Sequence, residues 1–451
     1  MFALLVLSLG LIGQLPPAEG PAAGQLESTP ASEAIEPWLE RQLESLVAFY
    51  QALHREPELS FHEVRTSAKL ADVLEQADFQ VSRGIGGHGV VGVLENGSGP
   101  RILLRCDMDA LPIREATGLA YASQVETVDE AGRTVGVMHA CGHDIHMTVW
   151  TGTVQFLSQH RDLWSGTLVA IAQPAEERGA GARAMLADGL YTRFGTPDFC
   201  LALHVDGDYP AGTISFTPGF AYANVDSVDI RVLGKGGHGS APHTTHDPVA
   251  LAGRIIMGLQ TLVSREIPPQ DAAVVTVGSI HGGSKHNIIP EEVSMQLTVR
   301  SYTDGVREKL LAGIERIAKG EAKAAGFPPK LEPVVTVQRQ EFTPASYNDP
   351  ALVKRINRVF VDLIGKDHLF QERPSMGGED FGRYAKAAGC PGYMFGLGSI
   401  DRQSWKAAQR PGALPLPSLH TKDYAPVAEL TVKTGVSAMV AAILELAPTQ
   451  L

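Results

Sequence analysis

Only four cysteines occur in 451 residues, no Lys or Arg precedes Arg41, and no apolar run is long enough to cross a bilayer as a helix. Cys106, Cys141, Cys200 and Cys390 are far apart, which argues against a disulfide scaffold. Cys106 and Cys200 fall in apolar, strand-like runs, where a small buried thiol is the ordinary reading. No Lys/Arg cluster and no stripe of basic and aromatic residues relieves the net charge of -12. This argues against a nucleic-acid partner. Internal repeats and long low-complexity tracts are absent too.

What is present suits a large globular protein. With 44% apolar and 20% charged residues, the chain can bury a sizeable core and should divide into two domains. Phe2 to Ile12 is an apolar run of signal-peptide length followed by Ala18, Ala22 and Ala23, so residues 1–24 are expected to be a signal peptide with the start of a spacer. The reading implies export to the periplasm or medium; an uncleaved anchor and a mis-set start, with cytoplasmic residence, are its alternatives. Residues 25–36 have the Pro, Ala, Gly, Ser and Glu content of a disordered linker. The fold is expected to begin near Pro37.

Up to about Phe216 helical and strand patterns alternate. Trp38 to His54, Glu63 to Phe79 and Asp144 to His160 have helical spacing. Val90 to Leu94, Arg101 to Asp107, Leu168 to Gln173 and Phe199 to His204 read as strands. The alternation predicts an α/β class and a doubly wound catalytic domain, whose ligands gather beyond the carboxyl ends of the strands. Between 221 and 338 the order becomes βαββαβ, that of a ferredoxin-like α+β unit complete in itself. The chain therefore reads as a catalytic domain of residues 37–220 and 339–451 interrupted by an inserted domain.

Four polar clusters follow short apolar runs: Cys141-Gly142-His143-Asp144, Glu176-Glu177, His204 and His420. They supply one thiolate, three imidazoles and two adjacent carboxylates, a mixture suited to a pair of borderline divalent cations. On an extended segment Cys141 and His143 leave from one face, whereas Glu176 and Glu177 point to opposite sides. One glutamate can then bind metal while its neighbour faces water. Each cluster alone is weak evidence, and their joint occurrence at strand ends points to a metal-dependent hydrolase.

The segments LLRCDMDALP (103–112), GVMHACGHDIHM (136–147), QPAEERGAGARAML (173–186), GKGGHGSAPH (234–243), HNIIP (286–290) and MGGEDF (376–381) resemble those of the hippurate hydrolases and indole-acetyl-amino-acid hydrolases. These form the N-acyl-L-amino acid amidohydrolase branch of the aminoacylase and carboxypeptidase metallopeptidases. The similarity runs in order from about His54 to Ile443. It implies two divalent ions per chain, Mn or Zn foremost with Co or Ni as alternatives, and an inserted lid that mediates homodimers. Carried over by position, the metal ligands are Cys141, His143, Glu177, His204 and His420, with Cys141 bridging. Glu176 becomes the general base for a metal-activated water attacking the amide of an N-acyl amino acid. His238 takes the place of an oxyanion donor, and Asn287 and Arg300 lie near the substrate α-carboxylate. For Arg300 a structural salt bridge is the alternative. Asp107 and Asp109 are positioned to orient a ligating imidazole; Asp144 either does the same or caps the helix after it.

Two departures from the family pattern stand out. The stretch between Tyr121 and Met138, which includes Val125 to Val135, is longer than the resemblance implies and should reshape the pocket rim, and the residues after His420 follow the pattern only loosely. Competing readings are a cysteine-nucleophile hydrolase, which leaves the Glu pair without a role, and an inactive binding protein on the same fold. Within the enzyme class, an exopeptidase or dipeptidase acting on short peptides is the runner-up.

Overall fold

A computed structural model describes residues 30–129 and 131–449. The first helix, Pro30–Arg55, begins ahead of Pro37, so residues 30–36 belong to the fold and not to the expected disordered linker. The reason is local: Ile35 continues the apolar face of Trp38 and Leu39, and all three are buried in the same core. The expected signal segment lies outside the described residues.

The main sheet has eight strands in the order Gln80–Ile85, Gly89–Asn96, Gly166–Gln173, Arg101–Asp107, Phe199–Pro210, Gly392–Ile400, Ile214–Phe216 and Leu369–Gln371. Its central four strands are mutually parallel, and antiparallel neighbours flank them on both sides. Side chains of a strand alternate between faces, and here the alternation serves two cores. Ile102, Leu104 and Cys106 face the layer built by Pro30–Arg55, His143–Gln159 and Ala428–Leu446. Leu103 faces the opposite layer with Met185, Leu190 and Tyr384. Both faces are covered, as a doubly wound arrangement requires.

A second, four-stranded antiparallel sheet runs Ala273–Gly282, Glu292–Ser301, Asn224–Leu233 and Val334–Val337. Numbered along the chain the order is 2-3-1-4, the ferredoxin-like arrangement. Helices Pro248–Thr261 and Asp304–Ala324 bury Leu251, Ile255, Leu310 and Ile314 against it, giving this unit its own core. Among the described residues no helix is long and apolar enough to cross a membrane.

Candidate metal centre

The strand ends do gather the polar clusters. Two triads of ligand atoms share one thiol: Cys141, His143 and His204 form the first, and Cys141, Glu177 and His420 the second. The Cys141 sulfur lies 3.4 Å from His204 Nε2 and 3.2 Å from His420 Nε2. His420 Nε2 is 3.5 Å from Glu177 Oε1, which is 3.8 Å from His143 Nε2. His420 is thus in place although the sequence after it departs from the family pattern. Its own positive φ of 63° and its amide bonded to the Ala140 carbonyl turn the ring inward.

Neither short motif is extended, contrary to the sequence expectation. Gly142 adopts φ 72° and caps the helix His143–Gln159. A Cβ there would meet the Val205 side chain at 2.5 Å, so the position between the two ligands needs glycine for both conformation and space. Glu176 and Glu177 occupy a tight turn entered through Ala175 at φ 49°. Instead of pointing apart, both carboxylates come within metal-sharing distance of His143.

Asp109 holds that turn. Its two oxygens accept the amides of Glu176 and Glu177 at 3.1 and 3.0 Å, while its backbone carbonyl accepts Nδ1–H of His143 at 2.8 Å. With Nδ1 committed to that carbonyl, Nε2 is the nitrogen that His143 turns toward the centre. His204 is fixed in the same tautomer by the Val205 carbonyl at 2.7 Å. Asp107 binds Nδ1 of His146 at 2.7 Å with one oxygen and lies 3.6 Å from His143 Nε2 with the other, and His146 accepts the Val205 amide on Nε2 at 2.8 Å. That spends both nitrogens of His146 and leaves it a support beneath His204. Asp144 orients no imidazole of the triads; its Oδ1 accepts the Ile145 amide at 2.9 Å in the first turn of the helix, its Oδ2 binds His54 at 2.6 Å, and the N-cap position itself is Gly142.

Sequence reading missed several groups here. Arg105, fully buried, pairs with Asp107 at 2.6 Å and Glu379 at 3.0 Å, and Asp380 accepts the Gln173 amide at 2.6 Å. Glu63, also buried, accepts the Ala175 amide at 2.8 Å and so anchors the entry to the Glu pair. Arg105 and Glu379 lie within quoted family segments, but nothing local announces that they meet.

The electrostatics call for a cation. Burial and the Coulombic pressure of Glu379, Glu177 and Asp380 push Glu176 well above the usual carboxylate range. Burial, against the pull of His143, raises Glu177 to about 7. Burial depresses His143, yet Asp107, Asp109 and Glu177 outweigh it and lift the imidazole to about 10. Among the described residues, the buried polar atoms without a hydrogen-bond partner include His143 Nε2 and Glu177 Oε1, both ligand atoms of the triads. Unpaired buried groups are costly, and a divalent ion in each triad would satisfy both. The residues present therefore fit a metal centre.

A cavity of about 440 Å³ opens onto it, lined by Cys141, Glu176, His204, Tyr222, Glu379 and His420 among others. Arg300 stands behind this wall, its Nε donating to Thr298 at 2.8 Å and its guanidinium 3.4 Å from the Met376 carbonyl. Burial lowers its pKa with no acid to oppose the effect, so the alternative of a structural salt bridge finds no partner among the described residues. His238 and Asn287 are elsewhere. Both are exposed on the inserted unit, where His238 pairs with Ile288 and accepts the Ser240 amide on Nδ1. Neither lines the cavity or belongs to the triads in this chain. The long stretch forms a hairpin, Glu126–Val128 with Thr134–Gly136, and lines a second cavity of about 410 Å³ that reaches Glu177.

Comparison with known proteins agrees with this geometry. The profile of peptidase family M20/M25/M40 matches residues 103–410. The hippurate hydrolase of Campylobacter jejuni is 36% identical over 343 residues, 75% of this chain and 84% of the relative. Thermostable carboxypeptidase 2 of Saccharolobus solfataricus is 33% identical, covering 82% and 88%. Among solved structures, the YXEP protein of Bacillus subtilis, described as a dinuclear metal binding peptidase of the M20 family, superposes with a TM-score of 0.71 at 30% identity, covering 90% of this chain and 99% of that one. On the extent of these matches, the chain belongs to peptidase family M20/M25/M40.

Proposed function

We propose that this protein hydrolyses the amide bond of N-acyl amino acids, hippurate-like compounds among them, with Glu176 as general base. The observation that carries the reading is a pair of ligand triads sharing Cys141, with the Glu176 carboxylate beside them on the cavity wall. Cys141, His143 and His204 would hold one divalent ion and Cys141, Glu177 and His420 the other, Mn or Zn foremost. Ions held there would polarise the scissile carbonyl and lower the pKa of the attacking water. Glu176 takes the proton of that water and passes it to the departing amine. Arg300, free of acidic partners, is the group suited to the substrate carboxylate.

The proposal extends to a homodimer formed through the inserted unit. Val249, Met257, Ile280 and Ile288 are large apolar side chains exposed on it, and a second copy covering them would leave His238 free to serve the partner's site. Export directed by residues 1–24 also belongs to this reading, and N-terminal sequencing of protein from its host tests it: an intact Met1 would refute export.

Metal-loaded protein assayed against a matrix of N-acyl amino acids and dipeptides tests the central claim. Higher kcat/KM on N-acyl amino acids supports it. The carboxypeptidase relative gives the second reading its weight, and dipeptides cleaved faster than every N-acyl substrate would replace the first reading with an exopeptidase.

A further inference from the structure

Two thiols that lie 190 residues apart in the chain meet in the fold: the sulfurs of Cys200 and Cys390 are 3.6 Å apart. Cys200 is on the strand that also carries His204, and Cys390 is in the turn between helix Gly382–Ala388 and strand Gly392–Ile400. The backbone holds the approach. Cys200 N donates to the Pro391 carbonyl at 3.0 Å, and Cys200 stands opposite Gly392 in the parallel ladder. Closing the sulfurs to a bond of about 2.05 Å asks for a movement of about 1.5 Å, within the reach of side-chain rotation. Neither cysteine belongs to the metal triads.

We propose that Cys200 and Cys390 are an oxidative modification site, forming an intramolecular disulfide by exchange with a small-molecule disulfide of the glutathione class. Access is one-sided. Cys200 is fully buried, whereas Cys390 is half-buried and borders a cavity of about 630 Å³ also lined by Tyr302, Asp304 and Lys386. The Cys200 thiol hydrogen-bonds to Cys390 and lowers its pKa, while burial raises that of Cys200, so Cys390 is the attacking sulfur. Its thiolate attacks one sulfur of glutathione disulfide, giving a mixed disulfide and releasing one glutathione thiolate. Cys200 then loses its proton and attacks the Cys390 sulfur, expelling the second glutathione. Two protein thiols are oxidised to one disulfide, one small disulfide is reduced to two thiols, and the two protons go to the leaving thiolates.

The bond would tie together the two chain segments that flank the inserted unit, closing a long loop and so restricting the unfolded chain. The test uses the full-length, metal-loaded protein incubated in glutathione buffers of graded oxidised fraction, quenched by acid, alkylated in denaturant and mapped by mass spectrometry. The expected result is a linked peptide pair containing Cys200 and Cys390, with Cys106 and Cys141 still alkylated. Cys200→Ser should stop at a mixed disulfide on Cys390. The oxidised parent should melt a few degrees above the reduced one, and Cys390→Ser should abolish that difference while leaving metal content unchanged. Free thiols at both positions in fully oxidised buffer would overturn the proposal. So would a parent chain that halts at the mixed disulfide.

Discussion

Asp107 and His146 form a buried pair 2.7 Å apart, and through the far nitrogen of His146 this pair holds the Val205 amide next to the ligand His204. Burial keeps His146 neutral, with its pKa lowered to about 3 despite the nearby carboxylate, which is the state that can donate on one side and accept on the other. Replacing His146 with Leu should release the backbone at Val205 and weaken metal binding by about 10- to 100-fold, the usual cost of losing such a support. Titration of the metal-free protein checks this. An unchanged affinity would reduce the pair to a packing element.

The neighbouring glutamates should separate cleanly. Glu176→Gln keeps shape and loses the base, so metal content should survive while kcat falls by about 10² to 10⁴. Glu177→Gln removes a triad member and should cost metal, as should Cys141→Ala, which strips an atom common to both triads. Elemental analysis run beside the kinetics distinguishes the cases. Loss of metal from the Glu176 variant alone would exchange the two roles.

His54 gives a pH signature away from the metals. Burial lowers its pKa, but hydrogen bonds to Asp144 at 2.6 Å and Glu115 at 3.1 Å win and raise it to about 9. A raised folded-state pKa means that the bridge stabilises fully below the ordinary value of 6.5 and is lost as pH rises through about 9. The melting temperature should therefore fall more steeply between pH 7 and 10 in the parent than in His54→Gln. Breaking the buried pair should itself cost about 3–5 kcal/mol at neutral pH, measurable by denaturant unfolding. Parallel pH profiles would rule out the charged bridge.

Period and position made much of this molecule legible in advance. The apolar run Arg101–Asp107 read as a strand, which the fold buries on both faces, and the βαββαβ order revealed the inserted unit, because both are local patterns. Ligands at strand ends could be read for the same reason. The supports could not. Arg105 meets Glu379 from 274 residues away, and Cys200 meets Cys390 across 190, pairings set by sheet order. The turns at Gly142 and Ala175 were read as extended segments because positive φ leaves little trace in a short polar motif, least of all at Ala175. Asp144 does accept the Ile145 amide, but its bond to His54 is a tertiary contact that helix-capping rules do not see.

The hairpin Glu126–Val128 with Thr134–Gly136 should govern substrate choice more than chemistry. Val128 is 63% exposed, and together with Ala131 and Arg133 it edges the cavity that reaches Glu177. Replacing residues 127–135 by a short Gly-containing turn should leave metal content unchanged and shift KM among acyl groups by several-fold, with a smaller change in kcat. A uniform loss of kcat across all substrates would show instead that the hairpin supports the centre.

Whether His238 serves its own chain or a partner can be decided by mixing inactive variants. His238 is exposed on the inserted unit and does not line the cavity, and in a symmetric dimer that placed it at the other chain's centre each site would receive the partner's copy. His238→Ala should lower kcat and kcat/KM together by about 10² to 10³, as for a donor used mainly in the transition state. Glu176→Gln is inactive for a different reason. If the imidazole acts across the interface, a mixed dimer has one site with both groups intact and another lacking both. Random reassortment makes half of the dimers mixed, so activity should recover to about one quarter of the parent value. If His238 acts within its own chain, every site in the mixture lacks one group and no activity returns. Size measurements on the mixture must show dimers throughout; a monomer that retains full activity would dismiss the dimeric site.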